Sequence, residues 1–224
     1  MLVNAGRGLV VAGGLLAGAA TIGVLVAVPQ TRSWVQGIDD AAYDLAGDLN
    51  NRPATLVAEA FSFLGTVWFN WPLRIIVAIV LALKTRWLQL AAFALAVASS
   101  EILIGVLKSA YARERPPGSL IETTGASFPS GHAIAGAVTA VGIVVTVFPP
   151  GRRRWHWELI AVIFSTVMAL SRVYLHAHWL SDTIAGALLG AALALGWPAL
   201  LTAIVRRPAR EPAAPVDPPL GTPP

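Results

Sequence analysis

Apolar residues in this chain run in blocks too long for a soluble core, and the polar stretches between the blocks hold most of its reactive side chains. Residues 8–28 carry no charge and match the ~20 residues that cross a bilayer as a helix. A cleaved signal peptide would have a shorter apolar core, about 7–15 residues, so the pattern predicts a retained first helix. Further blocks over 68–83, 88–107, 133–148, 157–170 and 179–205 predict five more spans. The last holds Gly186, Gly190 and Gly196, small residues that let helices approach closely. The expected fold is all-α and polytopic, with six transmembrane helices in residues 1–206. Residues 207–224, rich in Pro and Ala, read as a disordered cytoplasmic tail.

Between the first two spans the pattern changes. Asp39, Asp40, Asp44, Asp48 and Glu59 enter among apolar residues, while Trp34, Val35, Ile38, Ala42 and Leu45 recur at helical spacing. This predicts an amphipathic extracytoplasmic segment lying on the membrane surface, as two short helices broken near Pro53. Its acids read as a solvated face, against the alternative of a metal site at Asp39 and Asp40. Glu101, inside the third span, reads as a hydrogen-bonded structural group, with a place in the site as its alternative.

Composition sharpens this picture. Of 224 residues, 56% are hydrophobic and 12% charged, against roughly 25% charged in soluble domains. The net charge of +4 fits basic cytoplasmic loops better than nucleic-acid binding, and no nucleic-acid partner is expected. Without Cys there is no disulfide, thiol chemistry or thiolate metal site. Arg7, Lys84 with Arg86, Arg152 to Arg154, and Arg206 with Arg207 and Arg210 fall at alternate span ends. The positive-inside rule makes those ends cytoplasmic. The opposite ends, outside the cytoplasm, hold the polar stretches at 108–131 and 171–178. A multi-pass protein of the cell membrane is expected, with its site facing away from the cytoplasm.

Three clusters on that side carry the candidate chemistry. Lys108 and Arg115, if helical, lie about two turns apart on one face, while Arg113 and Glu114 read as solvated. Phe128-Pro129-Ser130-Gly131-His132 precedes the fourth span. Ser130 suits an N-cap, Gly131 lets backbone approach a ligand, and a helix N-terminus favours an anion. The third cluster is Ser171 to Asp182. Arg172 offers a fork of donors suited to phosphate. His178 can act as a nucleophile, with Asp182 four residues on, one helical turn away, to orient it. About 38 residues separate His132 from Ser171, or ~57 Å of helix, nearly two crossings of a ~30 Å core. The chain therefore returns, and the second and third clusters meet.

In this order and spacing the clusters resemble the three-part signature of the type 2 phosphatidic acid phosphatase (PAP2) superfamily, in its membrane branch. The pattern Lys-x6-Arg-Pro, Pro-Ser-Gly-His and Ser-Arg-x5-His-x3-Asp is met at Lys108 to Pro116, Pro129 to His132, and Ser171 to Asp182. The resemblance implies a hydrolase for a lipid phosphate or diphosphate that needs no metal or other cofactor. It further implies His178 as nucleophile, Asp182 as its orienter and His132 as general acid and then base. Lys108, Arg115, Ser130, Gly131 and Arg172 would hold the phosphoryl oxygens. His176 lies outside the signature and is expected at the rim of the site. The substrate would be phosphatidate, phosphatidylglycerophosphate or a polyprenyl diphosphate. A phosphotransferase with an alcohol acceptor and a non-catalytic lipid-binding or transport protein are the alternatives. The related haloperoxidases fit poorly with membrane spans. The sequence leaves the oligomeric state open.

Overall fold

A computed structural model describes residues 3–205, so the expected disordered tail at 207–224 lies outside the described residues. Eight helices and no strand occur among them: α1 (Ala5–Ala27), α2 (Pro29–Asp48), α3 (Arg52–Leu64), α4 (Val67–Leu83), α5 (Trp87–Tyr111), α6 (Gly131–Val147), α7 (Arg154–Tyr174) and α8 (Leu180–Val205). Local chemistry sets the breaks. Pro29 opens α2 straight after α1, because a proline lacks the N–H a continuing helix needs but suits a first turn. Asn51 caps α3 by accepting from the Ala54 N–H at 3.0 Å. Ala112, in the left-handed region with φ 43°, closes α5 by donating its N–H to the Lys108 carbonyl.

Four helices, α1, α5, α7 and α8, are long and apolar enough to cross a membrane. The expected spans at 68–83 and 133–148 are realised differently. At 17 residues, α4 is short and meets α3 at a 50° bend, so the two form one broken span or a re-entrant pair. α6 is also 17 residues, ~26 Å of helix. It lies inside the bundle, with eleven of its residues buried among α5, α7 and α8.

Lipid is as apolar as a leucine side chain, so helices in a bilayer associate through close packing and polar contacts. Both devices are present. A Cβ at Gly186 would come within 2.7 Å of the Ser130 carbonyl oxygen, and one at Gly190 within 2.5 Å of that of Ile134. These glycines, one turn apart on α8, let α6 lie directly on it and fix the α6 N-terminus against the start of α8. Gly196 is not needed in this way, since its Cβ would make an ordinary 3.6 Å contact with Ala12. The polar contact joins α4, α5 and α6. Arg74 of α4 pairs with Glu101 of α5 at 2.6 Å and donates to Thr139 of α6 at 2.9 Å. Glu101 thus serves packing, with a buried arginine that the apolar pattern of its span concealed.

The stretch expected as a surface segment forms α2 and α3, with the break at 49–51, just ahead of Pro53, which falls in the first turn of α3. Its faces are the surprise. Val35, Gln36, Asp39, Ala42, Tyr43 and Ala46 turn toward the protein, while Trp34, Ile38 and Leu45 point outward. Asp39 is 1% exposed, which corrects the reading of these acids as uniformly solvated.

Candidate functional site

The three clusters converge at the end of the bundle where α5 and α7 finish and α6 and α8 begin. Ser130 is the α6 N-cap, its hydroxyl accepting from the Ala133 N–H at 3.4 Å. Its own N–H donates to the Asp182 carbonyl at 3.0 Å, tying the second cluster to the third. Lys108 lies on the last turn of α5 and donates to the Ala126 carbonyl. Its side chain runs over Gly131, whose added Cβ would stand 4.0 Å from Lys108 Cε. Arg115 is not on the same helix, contrary to expectation, because α5 ends at Tyr111. It reaches the site from the following loop, held by carbonyls of Gly125 at 2.9 Å, Thr124 at 2.8 Å and Ala177 at 2.6 Å.

His178 precedes α8, so it does not meet Asp182 by simple helical spacing either. Asp182, in the first turn of α8, caps it by accepting from the Trp179 N–H at 3.0 Å. That turn brings its Oδ2 to 3.6 Å from His178 Nδ1. On the other edge of the ring, Arg115 Nη1 stands 3.2 Å from Nε2. A guanidinium can only donate, which favours the tautomer with the lone pair on Nε2 and the ring proton on Nδ1, toward Asp182. Burial pushes the His178 pKa down to about 4, with Asp182 opposing the fall and Arg115 and Arg172 adding to it.

Arg172, on the last turn of α7 and 3% exposed, donates through Nη1 to Ser62 of α3. Its Nε is buried without a protein partner. His132, in the first turn of α6, lies within Coulombic reach of Arg172, His178, Arg115 and Lys108. Every expected site residue is thus brought to one place. His176 is not aimed there: with φ 52° it turns back and stacks on Tyr43 of α2, ring centres 4.1 Å apart. No group of three or more His, Cys, Asp or Glu that could hold a metal occurs among the described residues.

Sequence reasoning missed four neighbours. Ser127 donates to Asp182 Oδ2 and lies 3.4 Å from His178 Nδ1. Ser62 carries Arg172. Arg113, read as solvated, is 5% exposed and donates to Asp182 at 2.7 Å and to Asp39 at 2.7 Å. Glu114 beside it is exposed. Only tertiary structure distinguishes the two, since nothing local in the sequence does. The fourth is Gly65, at the α3–α4 bend. An added Cβ there would stand 2.4 Å from His132 Cδ2 and 3.0 Å from Met168 Sδ. Gly65→Val is therefore expected to displace the His132 ring and lower kcat by about 10²-fold, the cost of an ångström-scale misplacement. Phosphate-release kinetics on the folded variant would check this, and near-normal kcat would show that the ring is not held there.

A family model described as the PAP2 superfamily matches residues 89–206, more than half of the chain. The chain belongs to the PAP2 superfamily. It is 37% identical over 97 residues to an undecaprenyl-diphosphatase of Sulfolobus acidocaldarius, a match covering 40% of this chain and 44% of that protein. In fold it is similar to the transmembrane PAP2-type phosphatidylglycerolphosphate phosphatase of Bacillus subtilis. That likeness has a TM-score of 0.69 at 23% identity and covers 89% of this chain and 98% of the other. It is also similar to LpxE of Aquifex aeolicus, with a TM-score of 0.56 at 21% identity over 68% of this chain and 89% of the other. The all-helical architecture is thus that of the membrane PAP2 proteins.

Proposed function

We propose that this PAP2 protein is an integral membrane phosphatase that hydrolyses a lipid phosphate or diphosphate through a phosphohistidine on His178. One observation carries the reading: His178 Nε2 lies 3.2 Å from Arg115 Nη1 and in reach of Arg172, while its other nitrogen faces Asp182, so a phosphoryl group that takes the guanidinium's donors would free Nε2 to attack. Nε2 attacks phosphorus, the bond to the leaving oxygen breaks, and His132 gives that oxygen its proton. Water then attacks the phosphohistidine, with His132 taking a proton from it, and the P–N bond breaks. Lys108, Arg115, Arg172, Ser130 and the Gly131 backbone hold the phosphoryl oxygens, whose charge the transition state spreads.

A lipid substrate is supported by an apolar groove of about 290 Å³ beside the second cluster, lined by Gly23, Leu103, Leu107, Tyr111, Phe128 and Pro129. It opens between α1, α5 and α8 and suits an acyl or prenyl chain. The relatives named above make phosphatidylglycerophosphate and undecaprenyl diphosphate the first substrates to try, with phosphatidate. Phosphate release across that panel, by purified protein in detergent with excess EDTA, tests the proposal. Release from at least one of the three is expected, without a metal, since cations rather than paired carboxylates face the phosphate. No release, or release that needs added Mg²⁺, would sink it. Transfer to an added alcohol in place of water would make the protein a phosphotransferase.

The proposed topology has six crossings, with the α3–α4 bend at the entry to the second and the site outside the cytoplasm. The site end of the bundle lies opposite Arg7, Lys84, Arg86 and Arg152 to Arg154. Since the chain has no Cys, single substitutions report cleanly. Glu122 and Pro150 are both exposed, at opposite ends of α6. Glu122→Cys should react with a membrane-impermeant maleimide on intact spheroplasts, and Pro150→Cys only after lysis. The reverse pattern would put the site in the cytoplasm, and equal labelling would remove α6 as a crossing.

A further inference from the structure

One guanidinium sits between two buried carboxylates beside the site. Arg113 uses both arms of its fork. Nη1 donates to Asp182 Oδ1 at 2.7 Å and to Ser181 Oγ at 2.7 Å. Nη2 donates to Asp39 Oδ2 at 2.7 Å and to Gln36 Oε1 at 2.9 Å. The three side chains are 4%, 0% and 0% exposed for Arg113, Asp39 and Asp182. Asp39 also accepts from the Ser181 N–H at 2.8 Å and from its hydroxyl at 2.6 Å, locking α2 to the first turn of α8. Trp179 covers the guanidinium, its ring centre 5.6 Å away. Buried ions normally come in pairs of opposite sign, because an uncompensated charge in a low dielectric is costly. In direct contact here, two carboxylates share one guanidinium, and the other cations near Asp182, Lys108 and Arg115, stand on the phosphate side.

The surplus has a use. Arg113 pins Oδ1 of Asp182, leaving Oδ2 to Ser127 and His178. Paired with Asp182 alone, the guanidinium would cancel the charge that steadies His178 as its ring gains positive character on bonding phosphorus. Asp39 takes up that positive charge instead, so Asp182 keeps its own. We propose that Asp39 and Arg113 are positioning residues for the reaction, holding Asp182 in place and leaving its charge available to His178. Helix α2 is then part of the catalytic unit, although Asp39 lies outside the segment 89–206 that the family model matches. This rests on His178 being the nucleophile.

The test uses the full chain in detergent, with Asp39→Asn, Arg113→Gln and the double variant, each checked for folding by thermal unfolding and size exclusion. Rates are normalised to the folded fraction from size exclusion, so a smaller folded fraction does not count as slower chemistry. Asp39→Asn keeps the shape and loses the charge. It is expected to lower kcat about 10- to 100-fold with KM within about twofold, since Asp39 touches no substrate. Arg113→Gln strands two carboxylates and should be worse, in stability as well as rate. In the double variant the charge changes cancel, and activity should recover above that of Arg113→Gln. A folded Asp39→Asn with wild-type kcat, or with only KM altered, overturns the proposal. So does a double variant no better than Arg113→Gln. If His178→Ala still turns over and still traps phosphate, the nucleophile assignment has failed, and this proposal with it. If His178→Ala is dead while Asp39→Asn is normal, only this proposal has failed.

Discussion

His178→Ala is expected to abolish turnover, by about 10⁴-fold or more, and to remove any acid-labile phosphoprotein trapped on rapid quenching. The size follows from covalent catalysis: without the nucleophile, what remains is binding and charge stabilisation by Lys108, Arg115 and Arg172. The pH dependence gives a second handle on the same residue. Attack needs the neutral ring, and an imidazole at its ordinary pKa of about 6.5 is mostly protonated by pH 5. Burial lowers the His178 value to about 4. A lowered pKa extends the neutral form toward acid, so the acid limb of kcat/KM should fall well below 6.5. A water-soluble phosphate ester and a detergent-stable preparation suffice to measure it. A limb at 6.5 or above would assign it to a group other than His178. Trapped phosphate surviving in His178→Ala would place the covalent bond elsewhere.

The sequence disclosed what depends on runs and on short spacing. The long helices follow from uninterrupted apolar blocks. The N-cap at Ser130 follows from a small hydroxyl before an apolar run. Arg172, His178 and Asp182 stand out because ionisable groups beside membrane spans are costly to keep there, whereas Lys108, Arg115 and His132 gain their place from the three-part signature. What stayed hidden depends on partners far along the chain. Asp39 and Arg113 are 74 residues apart, and each alone looks like a solvated charge next to others that are solvated. Glu101 was visible as a carboxylate inside an apolar span, but its partner Arg74, 27 residues away, was not, because nothing near either residue points to the other. Two helical extrapolations also failed locally. Ala112 turns left-handed before Arg115, and α8 begins two residues after His178, yet both pairs still come together, through the loop and the first helical turn.

The second large effect is conditional on the substrate. His132 stands at the start of α6 among Lys108, Arg115 and Arg172, cations that a phosphate would complement. As the proposed general acid it would protonate the leaving oxygen, a contribution of about 10²–10⁴-fold where the leaving group is a poor one. A lipid alkoxide is such a group, whereas a nitrophenolate leaves readily as the anion. His132→Ala should therefore lower kcat/KM by about 10²–10⁴-fold on an alkyl lipid phosphate, but by about tenfold or less on a nitrophenyl phosphate. The ratio kcat/KM is the right readout because it reports formation of the phosphoenzyme. In the proposed mechanism the later attack by water also uses His132, as base, so its loss would depress kcat on both substrates alike. The nitrophenyl ester should accordingly show a burst in this variant, with phosphohistidine accumulating on His178. Equal losses of kcat/KM on the two substrates, with no burst, would mean that His132 neither protonates the leaving oxygen nor activates the water, and its place beside His178 would need another explanation.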